Sequence, residues 1–295
     1  MKLCRVIALI PMLALHANAA PKKTDAPSDA NHEFKHESVV IRLLADQRIV
    51  STGTTFTAGL HIQPAPGYHT YWHSPGLVGL PTAIEWQLPK GVKAGPLMWP
   101  GPETSKMANL TIWGYRRDVV LLCEISVDSC YAAETLPLRG KVRWMACAKG
   151  CHPNWVDLAI SIPIGERQAA SSDQELIEAS RRELPACLPQ GWTFSARKIQ
   201  EEDGYRVEGS LHGPGIRDLD LSGVVFFCDD NQVNSNLKQD IQSDAKGLSM
   251  KFPVSELAPD NPTQLSGVLY HPGGWPGLNN TWLRVGGSYP APVQP

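Results

Sequence analysis

Cys147 and Cys151, in the run Cys147-Ala148-Lys149-Gly150-Cys151-His152, are the residues of this sequence best placed to do chemistry. Two thiols this close can form a small ring, and a small exposed disulfide is easier to reduce than a buried structural one. Arg143, Lys149 and His152 lie nearby and would favour the thiolate, the nucleophile of thiol–disulfide exchange. Two other readings stay open on these residues alone, a structural staple and an attachment site. The run is one residue longer than the C-x-x-C-H haem signature, and no helical pattern surrounds it. Zinc or copper would need further soft ligands, and His61, His69 and His73 are scattered, not paired at a ligand spacing.

The elements that must hold the two thiols read as strands. Upstream, Leu138, Val142 and Trp144 share one parity while Arg139, Lys141, Arg143 and Cys147 share the other, so the first thiol is expected on the basic, outward side of a half-buried strand. Downstream, Val156, Leu158, Ile160 and Ile162 alternate with Asp157, Ala159 and Ser161. The pair therefore sits on a connection between strands, where function is usually placed. The same alternation marks strands at 38–44, 55–63, 82–87 and 119–127, enough for one antiparallel sandwich. Residues 66–81 and 91–115 read as irregular, and a structureless stretch as long as the second usually means a functional loop or lid.

The chain has 295 residues, 25 prolines, 25 glycines and nine tryptophans, which favours short strands and turns over a helical bundle. A net charge of -2 argues against nucleic acid as a partner. Lys2 and Arg5, an apolar run from Val6 to Leu15 and Ala17-Asn18-Ala19 form a targeting segment over 1–19, too short in its apolar part to span a bilayer. A polar tether is expected over 20–37 and a first β-sandwich over 38–165. Over 166–185 a linker carries a short helix, with a capping box at Ser172–Glu175 and a stripe of Leu176, Ile177, Ser180 and Leu184. Further strand-like segments make 186–295 a second β-sandwich, so the fold class is all-β, two sandwiches joined by a short linker helix. The mature chain is expected to be extracytoplasmic and not membrane-spanning, in an oxidising compartment.

Several elements together resemble the amino-terminal periplasmic region of DsbD/ScsB-type thiol:disulfide interchange reductases. They are Tyr71-Trp72-x-x-Pro75-Gly76-x-x-Gly79-x-Pro81, Glu85-Trp86, Trp99-Pro100-x-Pro102, Gly114-Tyr115 and Trp144-x-x-Cys147-x-x-x-Cys151-x-Pro153. Phe226-Phe227, Gln239, Gly247-Leu248 and Leu265–Leu269 are similar to the second extracytoplasmic region of the ScsB-like branch.

The resemblance implies that the first sandwich is immunoglobulin-like, that the location is periplasmic, and that Cys147 and Cys151 are the redox pair, with partner attack on Cys151. It implies a cap loop within Ser105–Tyr115, with Leu110, Trp113 and Tyr115 as candidate shields. It also implies a membrane electron donor of DsbD type and thioredoxin-fold or peroxide-reducing acceptor proteins, with no metal or organic cofactor. The family's usual architecture continues into a transmembrane domain, whereas this sequence stops at Pro295, so a separate donor and a relay role are expected. With the redox pair set aside, structural disulfides Cys123–Cys130 and Cys187–Cys228 would keep bonds within domains, and a free, packed Cys123 is the competing reading. A non-catalytic, disulfide-stapled binding or chaperone-like module is the alternative function.

Overall fold

A computed structural model describes residues 31–290 with the exception of Asp203. The targeting segment over 1–19 and the greater part of the tether lie outside the described residues. The first half of the chain forms β1 (Glu33–His36), β2 (Val39–Ala45), β3 (Gln47–Ile49), β4 (Thr55–Pro64), β5 (Thr70–Gly76), β6 (Ala83–Trp86), β7 (Val92–Ala94), β8 (Glu103–Met107), β9 (Leu110–Tyr115), β10 (Val119–Val127), β11 (Thr135–Cys147), β12 (Cys151–Pro163) and β13 (Ala169–Ala170). After helix α1 (Gln174–Arg182) come β14 (Thr193–Glu201), β15 (Gly204–His212), β16 (Val225–Cys228), β17 (Asp240–Ser243), β18 (Gly247–Phe252), β19 (Gln264–Tyr270) and β20 (Trp282–Ser288). The fold is all-β, as its alternating pattern requires.

In the first unit a five-stranded sheet, ordered β1-β2-β4-β10-β7, faces a three-stranded sheet ordered β12-β11-β6. Leu43, Leu60, Leu121, Val142 and Trp144 fill the space between them. A third small sheet, β5-β9-β8, comes from the stretches whose composition suggested irregular loops. β5 lacks a period-two signal because both its faces are covered: Thr70, Tyr71, Trp72, Ser74, Pro75 and Gly76 are all buried.

Two expectations about the ends of this unit are corrected. Glu33–His36, assigned to the tether, pairs with Val39–Arg42, because Phe34 packs on the core and against Trp144, with ring centroids 6.2 Å apart. The 166–185 linker docks instead of merely spanning. Ile177 joins Leu44, Val120 and Leu122 in a cluster on the outer face of the five-stranded sheet, and the Ser180 hydroxyl donates to the Val120 carbonyl at 2.6 Å. The capping box does not form. Asp173 is the N-cap without a side-chain bond to the helix, and its carboxylate accepts from Arg42 at 3.4 Å instead.

The second unit packs a sheet ordered β14-β15-β18-β17 on one ordered β16-β19-β20, with Phe226 and Phe252 stacked across the gap at 4.7 Å. Its edge meets the small sheet of the first unit. Trp72 and Trp113 both meet Phe227 in T-shaped contacts, with ring centroids 6.3 and 5.6 Å away. Around these rings, Ser235 donates to the Thr111 carbonyl at 2.8 Å, and Asp229 holds His73 at 3.2 Å while Arg284 grips the same carboxylate at 2.7 Å. Burial opposes ionisation of Asp229, but the His73 and Arg284 contacts outweigh it and hold the carboxyl below its ordinary value. No helix among the described residues is long and apolar enough to cross a membrane.

Candidate functional site

The β11–β12 ladder runs without a break from Thr135 opposite Pro163 to Cys147 opposite Cys151, so the two cysteines are its last pair. Their Cα atoms are 4.2 Å apart and a disulfide joins them. Ala148, Lys149 and Gly150 close the hairpin, the Ala148 N–H donating to the Gly150 carbonyl at 2.9 Å. The tip stands in open space, since a Cβ added at Gly150 would meet nothing within 4 Å. Cys151 is exposed, whereas Cys147 is 0% exposed.

This corrects the expectation that Cys147 faces outward into solvent. Parity does place it on the side opposite Val142 and Trp144, but that side is covered at the end of the strand. The chain entering β5 runs alongside, and His69 and Cys147 exchange both backbone hydrogen bonds, at 2.9 and 3.0 Å. Tyr71 and Ile112 then pack on Cys147, with Val78, Met107 and Met145 around them. Met107, at the tip of the β8–β9 hairpin, brings its sulfur to 3.7 Å from the Cys151 sulfur. The Tyr71 hydroxyl donates to the same Met107 sulfur at 3.3 Å and lies 3.3 Å from His69 Nε2. Burial pushes the Tyr71 phenol up to about 12, and burial together with the Arg116 charge pushes His69 down, so both are neutral near pH 7.

The β8–β9 hairpin overlaps the segment expected to cap the pair, but the expected shields are not the residues packed on the disulfide. Trp113 and Tyr115 have the opposite parity to Ile112 and are buried away from the disulfide, Trp113 against Phe227 and Tyr115 with its hydroxyl donating to the Pro100 carbonyl at 2.7 Å. Leu110 is half-buried opposite Met107 in the turn. Met107 carried no sequence signal beyond its position; Tyr71 lay within the Tyr-Trp element but was not singled out, nor was His69 for its backbone bridge.

The expected thiolate-tuning residues are dispersed. Arg143 is exposed and edges a groove of about 450 Å³ with Leu80, Pro81 and Trp155. His152 follows Cys151 and so projects from the other face of β12, where its Nε2 is 3.5 Å from the Tyr68 hydroxyl and its Nδ1 3.8 Å from Glu37. Lys149 stays at the tip and, with Lys106 and Arg116, lines a cleft of about 850 Å³ beside the disulfide. None of these three cations has an ion-pair partner among the described residues.

The expected structural disulfides are absent: Cys123, Cys130, Cys187 and Cys228 are all free. Cys123 points into the sandwich, its thiol donating to the Gly95 carbonyl at 3.2 Å, while Cys130 lies exposed in the following turn. Cys228 is likewise buried, donating to Asp230 at 3.2 Å, and Cys187 is exposed. Burial pushes the Cys123 thiol up to about 11 and pushes Cys228 well above its ordinary value, so neither is a nucleophile near neutral pH.

Residues 42–160 match the family model described as thiol:disulfide interchange protein DsbD, N-terminal. The crystal structure of the N-terminal periplasmic domain of ScsB from Proteus mirabilis is similar over 87% of this chain and 96% of that one, with a TM-score of 0.63 and 19% identity. The yeast GGA1 GAE domain aligns with 45% of this chain and 99% of its own, but a TM-score of 0.27 and 12% identity carry no argument. No curated protein sequence matches the chain. The matched stretch, residues 42–160, contains the disulfide and is a domain of the DsbD N-terminal type, and the fold is the one seen in the ScsB domain.

Proposed function

We propose that this protein relays reducing equivalents outside the cytoplasm, from a membrane donor of DsbD type to exported thioredoxin-fold or peroxide-reducing proteins, through Cys147 and Cys151. The observation that carries this reading is the asymmetry of the disulfide, one sulfur exposed at a hairpin tip and the other sealed. A donor thiolate attacks the accessible Cys151 sulfur, breaking its bond to Cys147 and leaving a mixed disulfide; the Cys147 thiolate takes a proton. The donor's second thiolate then attacks its own bonded sulfur and releases Cys151, so two electrons have moved to this protein and the donor is oxidised. In the second exchange the Cys151 thiolate attacks the acceptor's disulfide. Cys147 then attacks Cys151, the acceptor leaves reduced, and the ring re-forms. No metal or organic cofactor enters either exchange.

The cationic cleft beside the tip suits an acidic rim on the partner, and the neighbouring groove with exposed Leu80 and Trp155 offers it apolar contact. Cys147→Ser is expected to trap a mixed disulfide through Cys151, whereas Cys151→Ser traps none and abolishes exchange. If Cys147 and Cys151 stay oxidised at potentials that already reduce a thioredoxin-like partner, the relay reading fails. Full activity of the double serine variant in a binding or aggregation assay would favour the non-catalytic module instead.

A further inference from the structure

His152 is drawn away from the disulfide into a group the sequence spacing does not reveal. One potential ligand atom from each of His36, Glu37 and His152 lies within 4.8 Å of the other two. The three come from β1, the turn that follows it and the start of β12, and the two imidazole centroids are 5.4 Å apart. Each ring is already held by its other nitrogen. His36 Nδ1 is 2.8 Å from the Ser38 hydroxyl, and His152 Nε2 is 3.5 Å from the Tyr68 hydroxyl. That leaves His36 Nε2 and His152 Nδ1 for a ligand, with the Glu37 carboxylate 3.8 Å from the latter. Trp144, 5.4 Å from His36, fixes that ring further.

We infer that His36, Glu37 and His152 form a binding site for a borderline divalent cation such as Zn²⁺. Two imidazole nitrogens and one carboxylate oxygen are a donor set that Zn²⁺ takes, with water completing the shell, whereas Ca²⁺ and Mg²⁺ prefer an all-oxygen set. Hydroxyl groups on the outer ring nitrogens orient the ligands, as outer-shell partners do in established metal sites. Ser38 N–H donates to His36 Nδ1 at 3.2 Å, so that nitrogen is unprotonated in this arrangement. Loading the cation on Nε2 requires the ring proton to move to Nδ1, where the Ser38 hydroxyl can accept it and the Ser38 N–H must give up that nitrogen as its acceptor. The bound ion would tie the Glu37 turn to the strand that begins at Cys151, without touching either sulfur.

The test is a Zn²⁺ titration of the tag-free, oxidised protein, followed by calorimetry and by competition with a chromogenic chelator. One equivalent is expected, with affinity falling about tenfold or more in His36→Ala and in His152→Ala. Glu37→Gln, at an exposed turn where misfolding is not a concern, should also weaken binding. The Cys147→Ser/Cys151→Ser double variant should bind as the parent does. No binding, binding unchanged by all three ligand variants, or binding lost with the cysteines overturns the proposal. None of these outcomes depends on whether the protein exchanges disulfides.

Discussion

The small β5–β9–β8 sheet has two faces built from neighbouring residues, and they serve opposite ends. Tyr71 and Ile112 turn to Cys147, while Trp72 and Trp113, one position on in each strand, turn to Phe227 of the second unit. The Phe227 face is aromatic, fully buried and rimmed by the Asp229 contacts to His73 and Arg284. The disulfide face ends in Met107, a half-exposed, unbranched side chain that rearranges readily. The contrast predicts that the second unit clamps the sheet from behind while the hairpin tip over the sulfurs is the part that yields.

Removing the clamp should cost most. Phe227→Ala leaves a cavity between the two tryptophans and is expected to cost about 3–5 kcal/mol in denaturant unfolding. A loss below about 1 kcal/mol would mean that the tryptophans repack and the clamp is not there. Gly114→Ala acts on both faces at once, because the new Cβ would lie 2.0 Å from the Thr70 carbonyl oxygen, a backbone atom that must move. We expect about 1–3 kcal/mol of destabilisation, together with faster reduction of the disulfide by a small thiol. Met107→Ala sharpens the contrast from the yielding side. Stability should change by less than about 1 kcal/mol, while the small-thiol reduction rate rises several-fold; equal rates would mean that Met107 shields nothing.

Acid should separate the faces as well. The folded pKa of His69, on the disulfide side, is depressed below its unfolded value of about 6.5. The folded state therefore binds fewer protons, and the stability from His69 is present above that value and lost as pH falls below it. Asp229, on the clamp side, is also depressed, so its contribution is present above the ordinary carboxylate value and persists until pH falls through its lowered folded value. Hydrogen exchange at pH 5 against pH 7 should thus show protection lost first around His69 and Cys147. Loss starting at Phe227 would reverse the assignment.

The sequence reveals more of the frame than of the site. Strands β2, β4, β10, β11 and β12 each have one polar face or a strong apolar run, and their alternation is plain. β5 and β9 are buried on both sides, which erases the pattern, and β8 is a short edge strand ending in the cap turn. The Cys147–Cys151 disulfide is legible from spacing and resemblance. Its burial is not, because parity tells which side of a strand a residue takes and not what covers that side. The same rule separates Ile112 from Trp113 and Tyr115, yet choosing the shielding parity required knowing where the second unit docks. The disulfides expected at Cys123 and Cys228 failed for a similar reason, since a buried thiol satisfied by a carbonyl or carboxylate looks no different in sequence from a bonded one.

The cysteines close a ladder whose every other rung is already paired, and they are only four positions apart. Opening a ring that small frees little chain entropy, and the hairpin keeps its hydrogen bonds. The oxidised and reduced forms therefore present nearly the same outline, and a partner distinguishes them only on reaching the sulfur. In the proposed relay, spent and charged molecules compete for each donor and acceptor, so throughput follows the ratio of the two populations as well as their total amount.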